Sequence, residues 1–338
     1  MVAPFREDTL VAETMSAEGA SPPTRVNYEA LKPSNCPVCS GNRYQTVTRR
    51  FDSGRLVECL HCGHIFLNPT LPADALQAIY HGYHASAADE DMLEMIRGWV
   101  ADGSGAYQWA LRKVGERGGF RKKRVLEIGC GPGVFLNECR SRGADVLGVD
   151  PSPRAARLAS RQGLHMIDST FEHALEQGWL GPRAFDLVFA FEVIEHVPRP
   201  GAFLDALHDL LVLGGALYLS TPNFQLFYLM GAAAPAVTNW QEHLHFFTPK
   251  SLRSRLEERG FKEICVETLS PLTVADRQKQ VLLHRAWIRS AWGVLRHWTA
   301  VRRLKDTFFA RLGAHREVTD GCIQGAGLVA TATVQGGA

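Results

Sequence analysis

The chain has 338 residues, 46% of them hydrophobic, and a formal net charge of +2. That length and composition fit a soluble globular protein with one full α/β domain and a smaller appendage, and exclude a chain that is disordered throughout. So slight a charge makes no overall electrostatic case for nucleic acid or an anionic membrane.

Residues 1–30 begin "MVAPFREDTL", carry acidic residues early and have no uninterrupted apolar stretch, so they read as a loose tail rather than a signal peptide or a membrane span. No later segment supplies the about 18 uncharged apolar residues a spanning helix needs. The nearest, "FQLFYLMGAAAPAVTNW", is broken by Gly231 and Pro235. The expectation is a cytoplasmic protein.

Of eight cysteines, four form two pairs, Cys36 with Cys39 in "CPVC" and Cys59 with Cys62 in "CLHC", with 19 residues between the pairs. In a reducing compartment that spacing points to one tetrahedral Zn²⁺ held by four thiolates rather than to disulfides. His61 and His64 stand close enough in sequence to substitute as ligands. The intervening "RYQTVTRRFDSGRLVEC" alternates and turns at Asp52, Ser53 and Gly54, as a β-hairpin of a zinc ribbon would. A closed four-cysteine site leaves no open coordination position, so this zinc is structural. Residues 31–70 are taken as the ribbon and 71–120 as a helical linker or cap. The other cysteines, Cys130, Cys139, Cys265 and Cys322, are scattered.

From residue 121 to 274 the chain alternates strand and helix: "KRVLEIG", "VFLNECRSRG", "ADVLGVD", "SPRAARLASRQG", "LHMID", "FDLVFAFE", "GAFLDALHDLLVLGG", "ALYLSTPN". The fold class is therefore α/β, a Rossmann-like sheet with helices on both faces, and ligands belong beyond the carboxyl ends of its strands. The first such end is "VLEIGCGPGVFL", where Gly129, Gly131 and Gly133 allow close backbone approach. A dinucleotide fingerprint would need glycine or alanine where Val134 stands, which disfavours NAD. Asp150, ending the second strand, lies where a carboxylate can accept the hydroxyl hydrogens of a ribose.

Four stretches in order, "VLEIGCGPG", "GVD", "FDLVFAFEVIEHV" and "LLVLGGALYLSTPN", resemble the successive motifs of class I S-adenosylmethionine (SAM) methyltransferases over about residues 90–270. The resemblance implies SAM as cofactor. The backbone of Gly129, Gly131 and Gly133 would face its methionine part and Asp150 its ribose, with Glu127 of the same motif also counted as cofactor-binding. Asp168 would lie near the adenine, with Phe191 and Glu192 beneath the sulfonium. Leu213 departs from the family pattern, which has proline before the paired glycines. The N-terminal "CPVC…CLHCGHIFLNP" is similar to the zinc module ahead of sugar C-methyltransferases and related polysaccharide and natural-product enzymes, where it helps to shape the acceptor pocket.

Methyl transfer to a hydroxyl or carbon requires a proton to leave, so a base is needed near the acceptor. "NWQEHLHFFTPKSL" offers Glu242, His243 and His245, and resembles the Glu-His segment of the sugar C-methyltransferases, in which the histidine is the base. His243 is the first choice, and Trp240 stands where those enzymes have tyrosine. The alternative is that His243 or His245 caps the helix starting near Pro249. Glu192, Glu195 and His196 fall at i, i+3 and i+4, so one helical turn would put them on one face. That pattern is similar to the metal site of ubiquinone-pathway O-methyltransferases and, with a later histidine, of small-RNA 2′-O-methyltransferases, so Mg²⁺ or a similar ion could polarise the acceptor. In metal-independent relatives the same histidine packs near the cofactor.

Residues 275–320 read as a basic amphipathic helical insertion, with ten Lys or Arg against one acid, Asp306, between 277 and 316. Trp287, Trp292 and Trp298 interleave with them. The insertion is either a helical lid on the domain or a peripheral membrane contact. Residues 321–338 supply the final strand and a tail. The expected function is SAM-dependent methyl transfer to a carbon or oxygen of a small-molecule acceptor such as a sugar, sugar nucleotide or natural-product intermediate. The alternatives are a metal-assisted RNA 2′-O-methyltransferase, an O-methyltransferase acting on a lipid-linked acceptor, and a SAM-binding scaffold. Nucleic acid is the less expected partner.

Overall fold

The computed structural model describes residues 31–49, 54–71, 76, 89–103, 105–226, 243–269 and 327–335. The tail at 1–30, Trp240, Glu242, Cys322 and the basic insertion at 275–320 lie outside the described residues.

The chain first forms a small antiparallel sheet. β1 (Tyr44–Arg49) pairs with β2 (Arg55–Cys59), and β2 with β3 (Ile65–Leu67). Two helices follow, α1 (Asp89–Ala101) and α2 (Ala106–Glu116). The alternating region then runs β4 (Arg124–Ile128), α3 (Val134–Ser141), β5 (Asp145–Asp150), α4 (Pro153–Arg161), β6 (Met166–Asp168) and α5 (Phe171–Glu176). It continues with β7 (Phe185–Phe191), α6 (Pro200–Leu210), β8 (Leu211–Pro222), the two-residue β9 (His245–Phe246) and α7 (Pro249–Glu258). β10 (Lys262–Leu269) and β11 (Gly327–Thr333) close the order.

The larger sheet has seven strands in the order β10-β11-β8-β7-β4-β5-β6. β4 to β8 run parallel, and β10 and β11 add an antiparallel edge. Strand order reverses on either side of β4, which places the ligand crevice past the carboxyl ends of β4, β5 and β7. β7 is apolar almost without interruption because both its faces are covered. Val188 and Ala190 pack with Phe203, Leu207 and Leu252, while the alternate Leu187, Phe189 and Phe191 pack with Phe135, Trp109 and Tyr218.

Local chemistry starts the helices. Ser152 accepts from the Ala155 amide with Pro153 in the first turn of α4, and Thr170 caps α5 through the His173 amide. Thr248 and Ser251 form a reciprocal capping box at α7, so neither His243 nor His245 serves as its cap. The ring and indole groups of α2 reach the sheet as well: Trp109 Nε1 donates to Glu267 on β10. α1 is tied down by Asp89, which pairs with Arg154 at 2.9 Å and Arg161 at 3.2 Å on α4. Leu213 is an exposed residue near the start of β8, and the following Gly214 amide donates to Val334 O.

The two sheets meet through β9, the fourth strand of the small sheet, which pairs antiparallel with β3 in the register Ile65↔Phe246 and Phe66↔His245. Leu56, Ile65, Leu67, Phe224, Leu244 and Phe246 share one core there. The sequence gives no sign of this strand, since two residues are too short for any period. Among the described residues no helix is long and apolar enough to cross a membrane.

Candidate functional site

The turn after β4 takes its shape from three left-handed glycines, Gly129, Gly131 and Gly133, at φ of 69°, 51° and 77°. A Cβ on Gly131 would meet nothing within 4 Å, so this backbone borders open space, as a loop that must let a ligand approach closely would. Asp150, at the end of β5, braces the turn: its Oδ2 accepts from the Gly131 amide at 2.9 Å and its Oδ1 from the Ser152 amide at 2.9 Å. Each oxygen keeps acceptor capacity for a ribose hydroxyl. Burial raises the Asp150 pKa, the two amides oppose the rise, and Asp168 adds to it. Asp168 is exposed and stands in register beside Asp150.

Glu127 is buried, and its Oε2 has no hydrogen-bond partner among the described residues. Burial, then the charge of Asp150, pushes its carboxyl well above the usual range. A buried carboxyl of this kind is completed by a ligand that donates, such as the ammonium of an amino acid. Tyr107 on α2, which the sequence reading overlooked, belongs to the same neighbourhood. Burial, then the charges of Glu127, Glu192 and Cys130, raises its phenol, and its ring lies 4.8 Å from that of Phe191 and 5.2 Å from that of Phe135. The available signal was position: α2 directly precedes β4, the first strand of the larger sheet.

Past β7 the structure corrects one expectation. Glu192, Glu195 and His196 do not lie on a helical face; Glu192 is left-handed at φ 53° and residues 194–196 form a turn. Val197 precedes Pro198, and a residue before proline is driven out of the helical region, so a helix had no room to run. Ser220 Oγ donates to Glu192 Oε1 at 2.7 Å, while Thr221 Oγ1 donates to Glu195 Oε2 at 3.0 Å. Both glutamates are raised by burial, Glu195 further by the charge of Glu192.

The convergent group is instead Glu195, His196 and His243, whose ligand atoms all lie within 4.8 Å of one another. Glu195 Oε1 is buried without a hydrogen bond and lies 3.8 Å from His196 Nε2. The His196 and His243 rings meet edge to face at 4.8 Å. His245 is not part of this group. Its Nε2 hydrogen-bonds Val197 O at 2.8 Å and its Nδ1 meets His64 Nε2 at 3.1 Å. Burial lowers the His245 pKa to about 4 and His64 well below its ordinary value, so both rings are neutral.

The four cysteines of the ribbon converge. Cys36 and Cys62 Sγ are 3.6 Å apart, Cys39 and Cys59 Sγ 3.5 Å, and all four lie within 4.8 Å of one another. A tetrahedron with metal–sulfur bonds of about 2.3 Å needs sulfurs ~3.8 Å apart, whereas a disulfide needs about 2.0 Å. The geometry therefore fits a four-thiolate zinc. Burial pushes the Cys36 thiol up to about 11 and Cys62 up as well, as for sulfurs whose negative charge awaits a cation. His61 and His64 are outside the cluster.

A family model described as "Methyltransferase domain" matches residues 104–266. The chain is 33% identical over 180 residues to a ubiquinone biosynthesis O-methyltransferase of Pseudomonas aeruginosa (strain UCBPP-PA14), covering 47% of this chain and 74% of that protein. It is 32% identical over 169 residues to the protein of the same name from Psychrobacter arcticus, covering 46% of this chain and 66% of the relative. A solved S-adenosylmethionine dependent methyltransferase from Mesorhizobium loti aligns over 68% of this chain and 98% of its own, at 18% identity and a TM-score of 0.44.

Proposed function

We propose, since this chain belongs to the class I SAM-dependent methyltransferases, that its acceptor is a hydroxyl of a small molecule and that His243 takes the hydroxyl proton. SAM supplies an electrophilic methyl carried on a sulfonium. The residues that fit it are the glycine turn at Gly129, Gly131 and Gly133, the orphan carboxyl of Glu127 for the amino group, and Asp150 for the ribose. Asp168 would border the adenine, and Phe191 and Glu192 the sulfonium.

The observation that carries the acceptor half is the convergence of Glu195, His196 and His243 within 4.8 Å at the end of β7. As the acceptor oxygen takes the methyl and the carbon–sulfur bond of the sulfonium breaks to leave a neutral thioether, the hydroxyl proton would pass to the imidazole, a role worth about 10²–10⁴-fold in rate. Glu195 and His196 hold the ring in place. The relatives named as O-methyltransferases favour oxygen over carbon, and the zinc ribbon's likeness to modules ahead of sugar C-methyltransferases favours a sugar, sugar nucleotide or natural-product intermediate as acceptor class.

A second reading is supported by Glu195 Oε1, which is buried, makes no hydrogen bond and faces His196 Nε2 at 3.8 Å. One carboxylate and two imidazoles can hold a divalent cation that polarises the acceptor oxygen, and such a donor set suits Mn²⁺, Fe²⁺ or Zn²⁺ better than Mg²⁺. Glu192, bonded to Ser220, is outside the convergent set. Mn²⁺ binding read by electron paramagnetic resonance, and its loss in Glu195→Gln, would favour this reading over the base.

The test is methyl transfer from labelled SAM into an extract of the source organism, fractionated into small molecules, lipids and RNA. Label in a small-molecule methyl ether, reduced about 10²–10⁴-fold by His243→Ala with SAM affinity unchanged, supports the proposal. Label in RNA or lipid, or an unimpaired His243→Ala, overturns it.

A further inference from the structure

His64 follows the second cysteine pair, and His245 follows the proposed base by two residues, yet the two side chains meet at 3.1 Å across 181 residues of sequence. Both are buried, at 1% and 4% exposure, so water does not share the contact's work. The partner on the far side fixes the protons. A carbonyl only accepts, so at Val197 O the His245 Nε2 must donate. In a neutral ring that leaves His245 Nδ1 as an acceptor, so His64 Nε2 donates to it and His64 Nδ1 is left as a buried lone pair, which agrees with its lack of any partner.

The two rings thus form a directed chain, His64 to His245 to Val197, ending on the backbone of the turn that carries Glu195 and His196. Around it the main chain closes a seam. The amides of Leu244 and His245 both donate to Glu195 O, and the Leu67 amide donates to Leu244 O. The His64 ring is further wedged against Phe247 at 5.4 Å and runs parallel to Phe66 at 6.1 Å.

We propose that His64 and His245 are positioning residues through which the zinc ribbon sets the place of His243 relative to Glu195 and His196. The ribbon is then part of the catalytic apparatus without touching substrate. This rests on the reading of His243 as base, and the experiment separates the two.

The test uses the full zinc-loaded chain. His64→Leu removes the donor and His64→Gln supplies an amide N–H in its place. Each is measured for zinc content, SAM affinity, hydrogen exchange at residues 244–247, and kcat with the acceptor found in the extract. His64→Leu is expected to keep one zinc and wild-type SAM affinity, to exchange at least 10-fold faster at 244–247, and to lose 10- to 100-fold in kcat; His64→Gln is expected to recover both. Unchanged exchange at 244–247, unchanged kcat, or a kcat loss matched by weakened SAM binding would each overturn the proposal. A His243→Ala enzyme that still turns over, beside a His64→Leu enzyme with a loosened segment and reduced kcat, would fault the base assignment and not the positioning role of His64 and His245.

Discussion

The glycine turn after β4 and the segment around His243 reach the same end of the sheet, but they are held in different ways. The turn is closed by neighbours: Gly131, in the turn after β4, and Asp150, at the end of the adjacent parallel β5, are only 19 residues apart. The His243 segment is closed by distant groups, Val197 at a separation of 48 residues and His64 at 181. Loop-closure entropy grows only slowly with length, so the long closure is affordable, but it has to be met by contacts that exist only when the ribbon is folded. A sheet of four short strands with a small core cannot supply that by itself, whereas a four-thiolate zinc adds folding free energy outright. Under the proposed function, the cofactor half of the site would be intrinsic to the sheet and the acceptor half would depend on a separate module.

That contrast can be broken first at the glycine turn. Gly131→Val places a branched side chain at φ 51°, with its Cβ directed into open space. The left-handed backbone alone costs about 1–2 kcal/mol, and the side chain would occupy cofactor volume. SAM affinity by titration calorimetry should fall at least ~10-fold, the equivalent of about 1.4 kcal/mol, with exchange at 244–247 untouched.

A pH scan sharpens the same half. Glu127 is held above its ordinary value of 4.5 by burial and the charge of Asp150, so between the unfolded and native pKa the native state binds the extra proton. Its contribution to stability is therefore full below the ordinary value and is lost as pH rises through the native one, at up to about 1.4 kcal/mol per pH unit. The cofactor-free protein should melt at a lower temperature at pH 8 than at pH 5.5, and Glu127→Gln should flatten that decline. A profile that keeps its slope in the variant would move the effect to Glu192 or Glu195.

The smallest expected effect lies just past the acceptor segment. Thr248→Ala removes the hydroxyl that accepts from the Ser251 amide, leaves the Thr248 amide to Ser251 Oγ bond in place, and should cost about 1 kcal/mol of stability by denaturant unfolding. Because β3 and Glu195, rather than α7, fix residues 244–246, kcat should stay within twofold of wild type.

The contrast also explains what could be read from the sequence. The cysteine pairs, the glycine turn and Asp150 are legible because metal coordination, left-handed backbone and strand-end carboxylates each impose a local spacing. The parallel order of β4 to β8 follows from alternating strand and helix patterns. Glu192, Glu195 and His196 misled because spacing at i, i+3 and i+4 is necessary for a helical face but not sufficient, and Pro198 left no helix to carry it. His64 looked like a spare zinc ligand, and His245 like a second base, since nothing local shows that two buried imidazoles share one hydrogen bond. Tyr107 and β9 are consequences of packing between distant segments, which a single sequence does not encode at any fixed spacing.

The most direct test of the account is a comparison of SAM affinity and methyl transfer before and after zinc is stripped from the ribbon, with Cys59→Ser as a second route to the same state. SAM binding should survive within about threefold, because the glycine turn is braced from within the sheet, while transfer to the acceptor should fall at least 10²-fold, the scale of losing a positioned base. Equal loss of binding and transfer, or transfer that persists without zinc, would contradict it.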